Sequence, residues 1–181
     1  ALPLLGTSFI QQLYNTVDLI YVGNFLGKEA AAAVGASSLF VTCLVGFFSG
    51  MSVGSSVVAS YVFGTGNKRE LKNVVHTAIG LSFICGIIIM IIGLIGAPYF
   101  LELINTPDEI MGMAVNYIRV YFMSIISVVT YNMGSGIIRA LGNSKTPMYI
   151  QLIGGIVNVI MDGVFIVIFK FGVVGVAYAT L

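Results

Sequence analysis

The chain has 181 residues, of which 58% are hydrophobic and only 8% are charged, and its mean hydropathy is +1.04. Soluble domains carry about 25% charged residues, so this composition cannot form a water-exposed surface and predicts an integral membrane protein. A net charge of +1 gives no basic surface for nucleic acid, and the polar segments are too short for a soluble catalytic domain. Cys43 and Cys85 each stand alone in an apolar run, so we infer neither a disulfide nor a metal site from them.

Apolar runs separated by short polar turns predict six membrane-spanning helices. The predicted spans are residues 2–22, 30–63, 79–100, 110–138, 147–169 and 173–181. The sixth run would rise only about 13 Å as a helix, less than half a bilayer, so residues beyond it should complete that span. The first residue is not Met and the last lies in an apolar run, which predicts a chain cut at both ends. The expected fold class is an all-α membrane bundle of six helices, the sixth truncated.

The first span contains a polar stretch that ends in a carboxylate. An acid inside a span costs about 2.5–3.5 kcal/mol on insertion scales, which packing alone does not explain. With 100° between residues, Gln11, Tyr14 and Asp18 share one helical face. This face should point into a cavity or toward other helices, and we expect the rest of the chain to enclose it.

The second span has no charged residue over positions 30–63. As a helix it would be about 51 Å long, and a single tilted or kinked helix fits better than two short spans because no polar hairpin divides it. Gly46, Gly50 and Gly54 recur every fourth residue, a pattern that favours close packing against another helix.

Two loops then carry start signals for the next helices. Asn67 with Glu70 predicts one N-cap, and Thr106 before Pro107 predicts another.

The fourth and fifth spans contribute further polar side chains. Asn132 and Ser135 are three residues apart and share a face of the fourth helix. Asp162 is the only charge in the fifth span, and Asn158 stands one turn before it, so both side chains point the same way.

The distribution of basic residues predicts the orientation. The loops after the second and fourth spans hold five Lys or Arg residues and the other loops hold two, which places the N-terminus in the cytoplasm. Asp18 and Asp162 then lie at similar depth in the outer half of the membrane. A shared polar cavity explains this, and the alternative is two unrelated acids that face separate cavities.

Several short motifs occur in an order typical of one transporter family. They are Ala1-Leu2-Pro3, Tyr14-Asn15-xx-Asp18, Ala33-Val34-Gly35, Gly64-Thr65-Gly66-Asn67, Arg139-Ala140-Leu141-Gly142-Asn143 before Thr146-Pro147, and Asn158-xxx-Asp162. In these motifs the chain resembles the N-terminal half of the multidrug and toxic compound extrusion (MATE) family over essentially its whole length. The resemblance implies one lobe of a twelve-helix transporter in a bacterial inner membrane. Such a protein exports cationic or amphipathic compounds, drugs among them, in exchange for Na⁺ or H⁺.

The resemblance also implies roles for individual residues. Asp18, Asn158, Asp162 and Thr180 correspond to a coupling-ion site, with the two acids as metal ligands if the ion is Na⁺. Gln11, Tyr14 and Asn15 match the helix that lines the drug cavity in some members, and Asn132 and Ser135 are both candidates on the fourth helix. No cofactor is expected beyond the coupling ion. The expected partners are a small organic substrate, the lipid bilayer and a second six-helix lobe.

The expected mechanism rests on repulsion between the two acids. Binding of one H⁺ or one Na⁺ relieves this repulsion, shifts the first helix and lowers the affinity for a cationic drug. Two rival functions stay open: a flippase for lipid-linked precursors, which needs a basic cavity, and an uncoupled channel or structural subunit. An enzyme is not expected, because the sequence has no nucleophile–base pair, metal cluster or phosphate-binding loop.

Overall fold

The computed structural model describes residues 2–180, apart from the side chains of residues 2–5, 7–8, 14–15 and 39–40. The described residues form helices and no strand. The helices are α1 (Leu2–Phe25), α2 (Lys28–Gly64), α3 (Lys68–Leu103), α4 (Asp108–Ala140), α5 (Lys145–Asp162) and α6 (Val173–Thr180). A π-helical segment, Gly163–Ile168, continues α5.

Within the described part of the chain, four helices are long and apolar enough to cross a membrane: α2, α3, α4, and α5 with its continuation to Ile168. The helix α1, several of whose side chains lie outside the described set, is not among these four, and its role as a span stays a prediction. The all-helical fold of the sequence analysis is confirmed.

The second apolar run is one unbroken helix of 37 residues, as its lack of a polar hairpin predicted. The turn before it uses Gly27 at φ 90°, a backbone angle that glycine adopts without strain. The predicted cap of α3 is also confirmed, since the Asn67 side chain accepts a hydrogen bond of 3.1 Å from the Glu70 backbone N–H. The Asn67 side-chain amide donates in return to the Glu70 carboxylate at 3.1 Å.

The start of α4 differs from the prediction. Pro107 is the N-cap and the helix begins at Asp108, so Thr106 does not cap it. The Thr106 hydroxyl is buried and has no hydrogen-bond partner among the described residues. The Thr-Pro signal was therefore misread by one position, because proline in the extended φ/ψ region can itself occupy the cap.

The centre of the bundle is α4. It packs against α2 and α3 along most of its length and against α6 near its first half, while α1 lies along α5. Apolar clusters follow α4 from end to end, with Ile118 and Phe122 in the first, Ile125 and Val129 in the next, and Met133 in the last. This arrangement holds α1 and α5 side by side at the edge of the lobe.

Two glycines of α3 permit its close approach to α4. A Cβ at Gly86 would lie 3.1 Å from the backbone of Ile126, and one at Gly93 would overlap the Phe122 ring. In contrast, a Cβ at Gly46, Gly50 or Gly54 would meet no described atom within 4 Å. The expectation that this α2 stripe packs against a neighbouring helix is therefore wrong for this lobe, because α4 meets α2 on an adjacent face.

Candidate functional site

Two buried carboxylates meet where α1 lies against the end of α5. Asp18 is 9% exposed and Asp162 is fully buried. Their carboxyl groups are near enough for their charges to interact. The structure therefore brings together two residues that are 144 positions apart in the sequence, as the positive-inside topology predicted. We call Asp18, Asn158, Asp162 and Thr180 the acid site.

The backbone changes its pitch immediately after Asp162. This residue is the last of α5, and the chain continues as the π-helical segment Gly163–Ile168. A Cβ at Gly163 would lie 3.5 Å from the Tyr21 hydroxyl, so α1 and α5 are also close at the first π-helical residue. Single π-helical turns occur often at functional sites. The sequence offered no signal for this feature beyond the glycine itself.

Asn158 and Thr180 lie beside the acids and are linked to each other. The Asn158 side-chain amide donates to the Thr180 hydroxyl at 3.4 Å, and that hydroxyl donates to the Val176 carbonyl at 3.2 Å. The amide N–H of Asn158 is directed to Thr180, and its carbonyl oxygen has no hydrogen-bond partner in the part of the chain that the structure describes. Asn158 is 6% exposed, so water does not reach it easily.

The acid site has more buried acceptors than donors. Four buried oxygens, namely Oδ1 of Asp18, Oδ1 of Asn158 and both carboxylate oxygens of Asp162, have no hydrogen-bond partner among the described residues. Buried polar atoms in folded proteins are nearly always paired, and leaving them unpaired is costly. A bound proton or a hard cation would satisfy these atoms, and oxygen ligands are those that hard cations prefer. The residues present therefore fit the coupling ion that the resemblance implies.

The residue Tyr117 also belongs to this region, although the sequence analysis did not select it. It lies on α4, half-buried between two apolar clusters. It is near enough to Asp18 and Asp162 for both carboxylates to interact electrostatically with its hydroxyl. Its sequence neighbours are ordinary helix residues, so only its packing against the apolar cluster of α1, α2, the π-helical segment and α6 reveals it.

A cavity of about 850 Å³ opens next to the acid site. Its walls come from α1, α2, α4, α5 and α6, and they combine apolar side chains with amides and hydroxyls. The polar side chains in the lining include Gln11, Tyr131, Asn132, Arg139, Gln151, Asn158 and Thr180. Asn158 and Thr180 belong both to this wall and to the acid site, whereas the two acids are not in the lining. The cavity thus contacts the acid pair through two neutral side chains.

The other predicted cavity residues fall in different places. Gln11 and Asn132 line the cavity. Ser135 is 4% exposed and is not in the lining, because α4 turns it into the packed interior. The side chains of Tyr14 and Asn15 lie outside the described set.

Comparison with known proteins identifies relatives of this lobe. The family model described as MatE matches residues 3–164. Probable multidrug resistance protein YoeA of Bacillus subtilis (strain 168) is 32% identical over an alignment of 183 positions that covers 99% of this chain and 40% of that protein. Probable multidrug resistance protein YpnP of the same organism is 28% identical, over 100% of this chain and 41% of its own length. The chain thus spans about two fifths of the curated relatives it matches.

Solved structures show the same fold. A multidrug resistance MATE family transporter of the MOP superfamily, in an outward-facing conformation, has a TM-score of 0.91 at 31% identity, over 99% of this chain and 40% of that one. A MOP superfamily transporter from Pyrococcus furiosus Vc1 (DSM3638) has the same TM-score at 32% identity, over 99% of this chain and 39% of that one. The latter is described as having a binding pocket of reverse polarity that suggests a different function.

Proposed function

Since this chain belongs to the MatE family of membrane transporters, we propose that it is the N-terminal six-helix lobe of a cation-coupled antiporter that exports drugs or other organic compounds. The chain is an integral membrane protein, and its relatives are transporters, not enzymes. The observation that carries the proposal is the set of four unpaired buried oxygens of the acid site, directly beside a cavity of about 850 Å³.

Binding of a coupling ion at the acid site would neutralise charge there and so change the shape of the lobe. With both acids ionised, two like charges sit side by side in a poorly solvated pocket, which is unfavourable. One H⁺ shared by the carboxyls, or one Na⁺ held by the oxygens of Asp18, Asn158 and Asp162, relieves this repulsion. The pair joins α1 to α5, so ion binding draws these two helices into a different relative position.

The change would reach the cavity through two residues of its wall, Asn158 and Thr180. Asn158 and Thr180 are joined by a hydrogen bond and face both the cavity and the acids. An ion that recruits the Asn158 carbonyl oxygen therefore moves a residue that contacts the substrate. We propose that this coupling lowers substrate affinity when the ion binds, so that inward ion flow drives outward release.

The remaining parts of the proposal concern the whole protein. A second six-helix lobe would close the open side of the cavity. The N-terminus would lie in the cytoplasm and the protein in a bacterial inner membrane, because the loops after α2 and α4 carry most of the basic residues. The acid site then lies near the outer mouth.

The decisive variant is Asp18→Asn in the full-length protein, reconstituted in liposomes. We expect loss of ion-driven substrate efflux, because the amide cannot carry the charge that binds the ion, while the variant still inserts and elutes as a monodisperse species. Asp108→Asn, an exposed acid at the start of α4, is the matched control and should transport normally. Efflux by Asp18→Asn at the rate of the unmodified protein would refute the proposal.

The same liposomes identify the coupling ion. A Na⁺ gradient and a pH gradient are imposed separately, and substrate efflux is followed under each. An ion that couples should drive efflux in the unmodified protein and fail to drive it in Asp18→Asn. Efflux that proceeds equally without any gradient would show an uncoupled channel instead.

A further inference from the structure

The charge of the cavity wall differs from the charge of the acid site. Arg139 is the one formally charged side chain among the described residues that line the large cavity, and no carboxylate is in that lining. The Asp18–Asp162 pair acts on the cavity only from behind Asn158 and Thr180. A bound compound therefore contacts a cation directly and an acid only indirectly.

Arg139 has unused hydrogen-bonding capacity. A guanidinium carries five N–H donors, and none of them finds an acceptor or an ion-pair partner among the described residues. Two other donors in the wall are already engaged. The Tyr131 hydroxyl donates to the Pro147 carbonyl at 3.0 Å, and the Asn132 amide donates to the Val128 carbonyl at 2.8 Å. The strongest free donor that the cavity offers is thus the arginine.

The surroundings of Arg139 do not supply another anion-binding group. Arg139 also lines a second cavity of about 340 Å³, together with Ser52, Ser56 and Ser60. Each of these hydroxyls donates its proton to a backbone carbonyl, at 2.6, 2.7 and 2.9 Å respectively. They present lone pairs to the space around them, so an anion there would be held by the guanidinium alone.

Position along the helix explains part of this arrangement but not all of it. A basic residue is favoured in the last turn of a helix and at the cytoplasmic side of a membrane. Arg139 is in the last turn of α4 and on the side that we propose to be cytoplasmic. A guanidinium that served only the lipid head groups would extend away from the bundle, as the exposed Arg119 can in the first half of α4. Arg139 is instead half-buried between two cavities.

The two charged elements lie at opposite ends of one cavity. Asn132 and Arg139 are seven residues apart on α4, and Gln151 and Asn158 are seven apart on α5, a rise of about 10 Å in each case. The acid pair therefore stands behind one end of an elongated space, and the guanidinium stands at the other. Such a field favours a compound with separated charges over a simple cation.

We propose that the cavity takes zwitterionic substrates, with a carboxylate or similar oxyanion on Arg139 and the cationic end toward Asn158 and Thr180. This inference rests on the proposed export function and names the substrate class of that same cavity. The proposal also predicts how the coupling ion acts on the bound substrate. Neutralising the acid pair weakens the electrostatic attraction at the Asn158–Thr180 end and leaves the contact with Arg139 unchanged.

The test compares two dyes that differ only in the anionic group. Rhodamine 110 carries a free carboxylate, and rhodamine 123 is its methyl ester. Binding of each dye to the detergent-purified full-length protein is measured by fluorescence polarisation for the unmodified protein, Arg139→Gln, Arg139→Lys and the control Arg119→Gln. We expect the unmodified protein to bind rhodamine 110 more tightly. Arg139→Gln should weaken that binding about tenfold or more and change binding of the ester less than about twofold.

Arg139→Lys should retain part of the preference, because it keeps the charge but loses the planar pair of donors. Arg119→Gln should leave both affinities unchanged. A protein that prefers the ester, that binds neither dye, or that loses both dyes equally in Arg139→Gln overturns the inference. Failure of the export mechanism is seen separately, as dye binding that neither added Na⁺ nor a lower pH weakens.

Discussion

Two polar regions of the lobe differ in whether their buried polar side chains are hydrogen-bonded. In the seam between α2 and α4, which we define by Ser52, Ser56, Asn132 and Gly136, the serine hydroxyls and the asparagine amide all donate to backbone carbonyls at 2.6–2.8 Å. In the acid site, four buried side-chain oxygens have no partner among the described residues. Both regions lie between helices of one lobe, so burial between helices alone does not explain the difference.

The contrast separates structural polarity from functional polarity. A satisfied hydroxyl in an apolar setting holds two helices at a fixed distance and has no capacity left for a ligand. An unsatisfied carboxylate destabilises the lobe until a ligand binds, so it links the stability of the lobe to ligand concentration. Variants of the acid site should therefore change the response to ions, whereas variants of the seam should change stability but not the response to ions.

The largest effect is expected from Asp162→Asn, which breaks the acid site itself. Saturating coupling ion should stabilise the full-length protein, by about 2.7 kcal/mol at a hundred times the dissociation constant. Asp162→Asn should lose that stabilisation and all ion-driven efflux, because the amide brings no charge. Thermal unfolding in detergent is measured across a concentration series of Na⁺ and of H⁺. Asn132→Ala, the seam comparator, should unfold at a lower temperature yet keep the full response to the ion. An equal response in Asp162→Asn and the unmodified protein would remove the basis of the comparison.

The second effect is steric and belongs to the seam. A Cβ at Gly136 would overlap the Ser52 hydroxyl and lie 2.8 Å from the Ser56 hydroxyl, whereas a Cβ at Gly134 would meet nothing within 4 Å. Gly136→Ala should therefore cost about 1–3 kcal/mol. Gly134→Ala, the matched control two residues earlier, should be neutral or gain up to about 1 kcal/mol from helix propensity. Thermal unfolding midpoints in detergent give both values, and equal midpoints for the two variants would show that the seam is not closely packed.

The difference between these two glycines also marks what the sequence could and could not predict. Helices follow from apolar runs and cap residues, so the six-helix order, the unbroken α2 and the Asn67 cap could be read directly. Basic loops predicted that Asp18 and Asp162 share a depth. The packing partner of each helix face is a property of the whole bundle, so the open Gly46–Gly50–Gly54 stripe could not be foreseen.

The candidate site shows the same limit. Single polar residues in apolar spans are conspicuous, which is why Asp18, Asn158 and Asp162 could be selected from the sequence. Tyr117 and the π-helical segment after Asp162 could not, because aromatic residues and glycines are common in every span. Arg139 looked like a loop residue, and only its place in the cavity wall sets it apart from Arg119.

A smaller effect is expected at the edge of the acid site, from Thr180→Val. The hydroxyl accepts the Asn158 amide at 3.4 Å, and losing it frees that amide to turn its carbonyl oxygen away from the acids. Ion affinity should fall by up to about tenfold, the value of one neutral hydrogen bond, and Thr180→Ser should restore it. The midpoint of the ion-dependent rise in unfolding temperature reports the affinity. If Thr180→Ser fell as far as Thr180→Val, the role of the hydroxyl would be excluded.

The smallest effect is expected from Ser52→Ala in the seam. This variant tests whether the Ser52 hydroxyl that forms the hydrogen bond is also the atom that limits the approach of Gly136. Ser52→Ala removes the 2.6 Å bond to the Asn132 carbonyl and should cost only about 0.5–1.5 kcal/mol. It also removes the atom that a Cβ at Gly136 would overlap. The double variant Ser52→Ala with Gly136→Ala should therefore be more stable than the sum of the single losses, with an interaction of at least about 0.5 kcal/mol. Some loss should persist, since the Ser52 backbone oxygen would still lie 3.2 Å from the new Cβ. Strictly additive losses of stability would mean that α2 and α4 move apart in Gly136→Ala. The ion response of all three variants should match that of the unmodified protein.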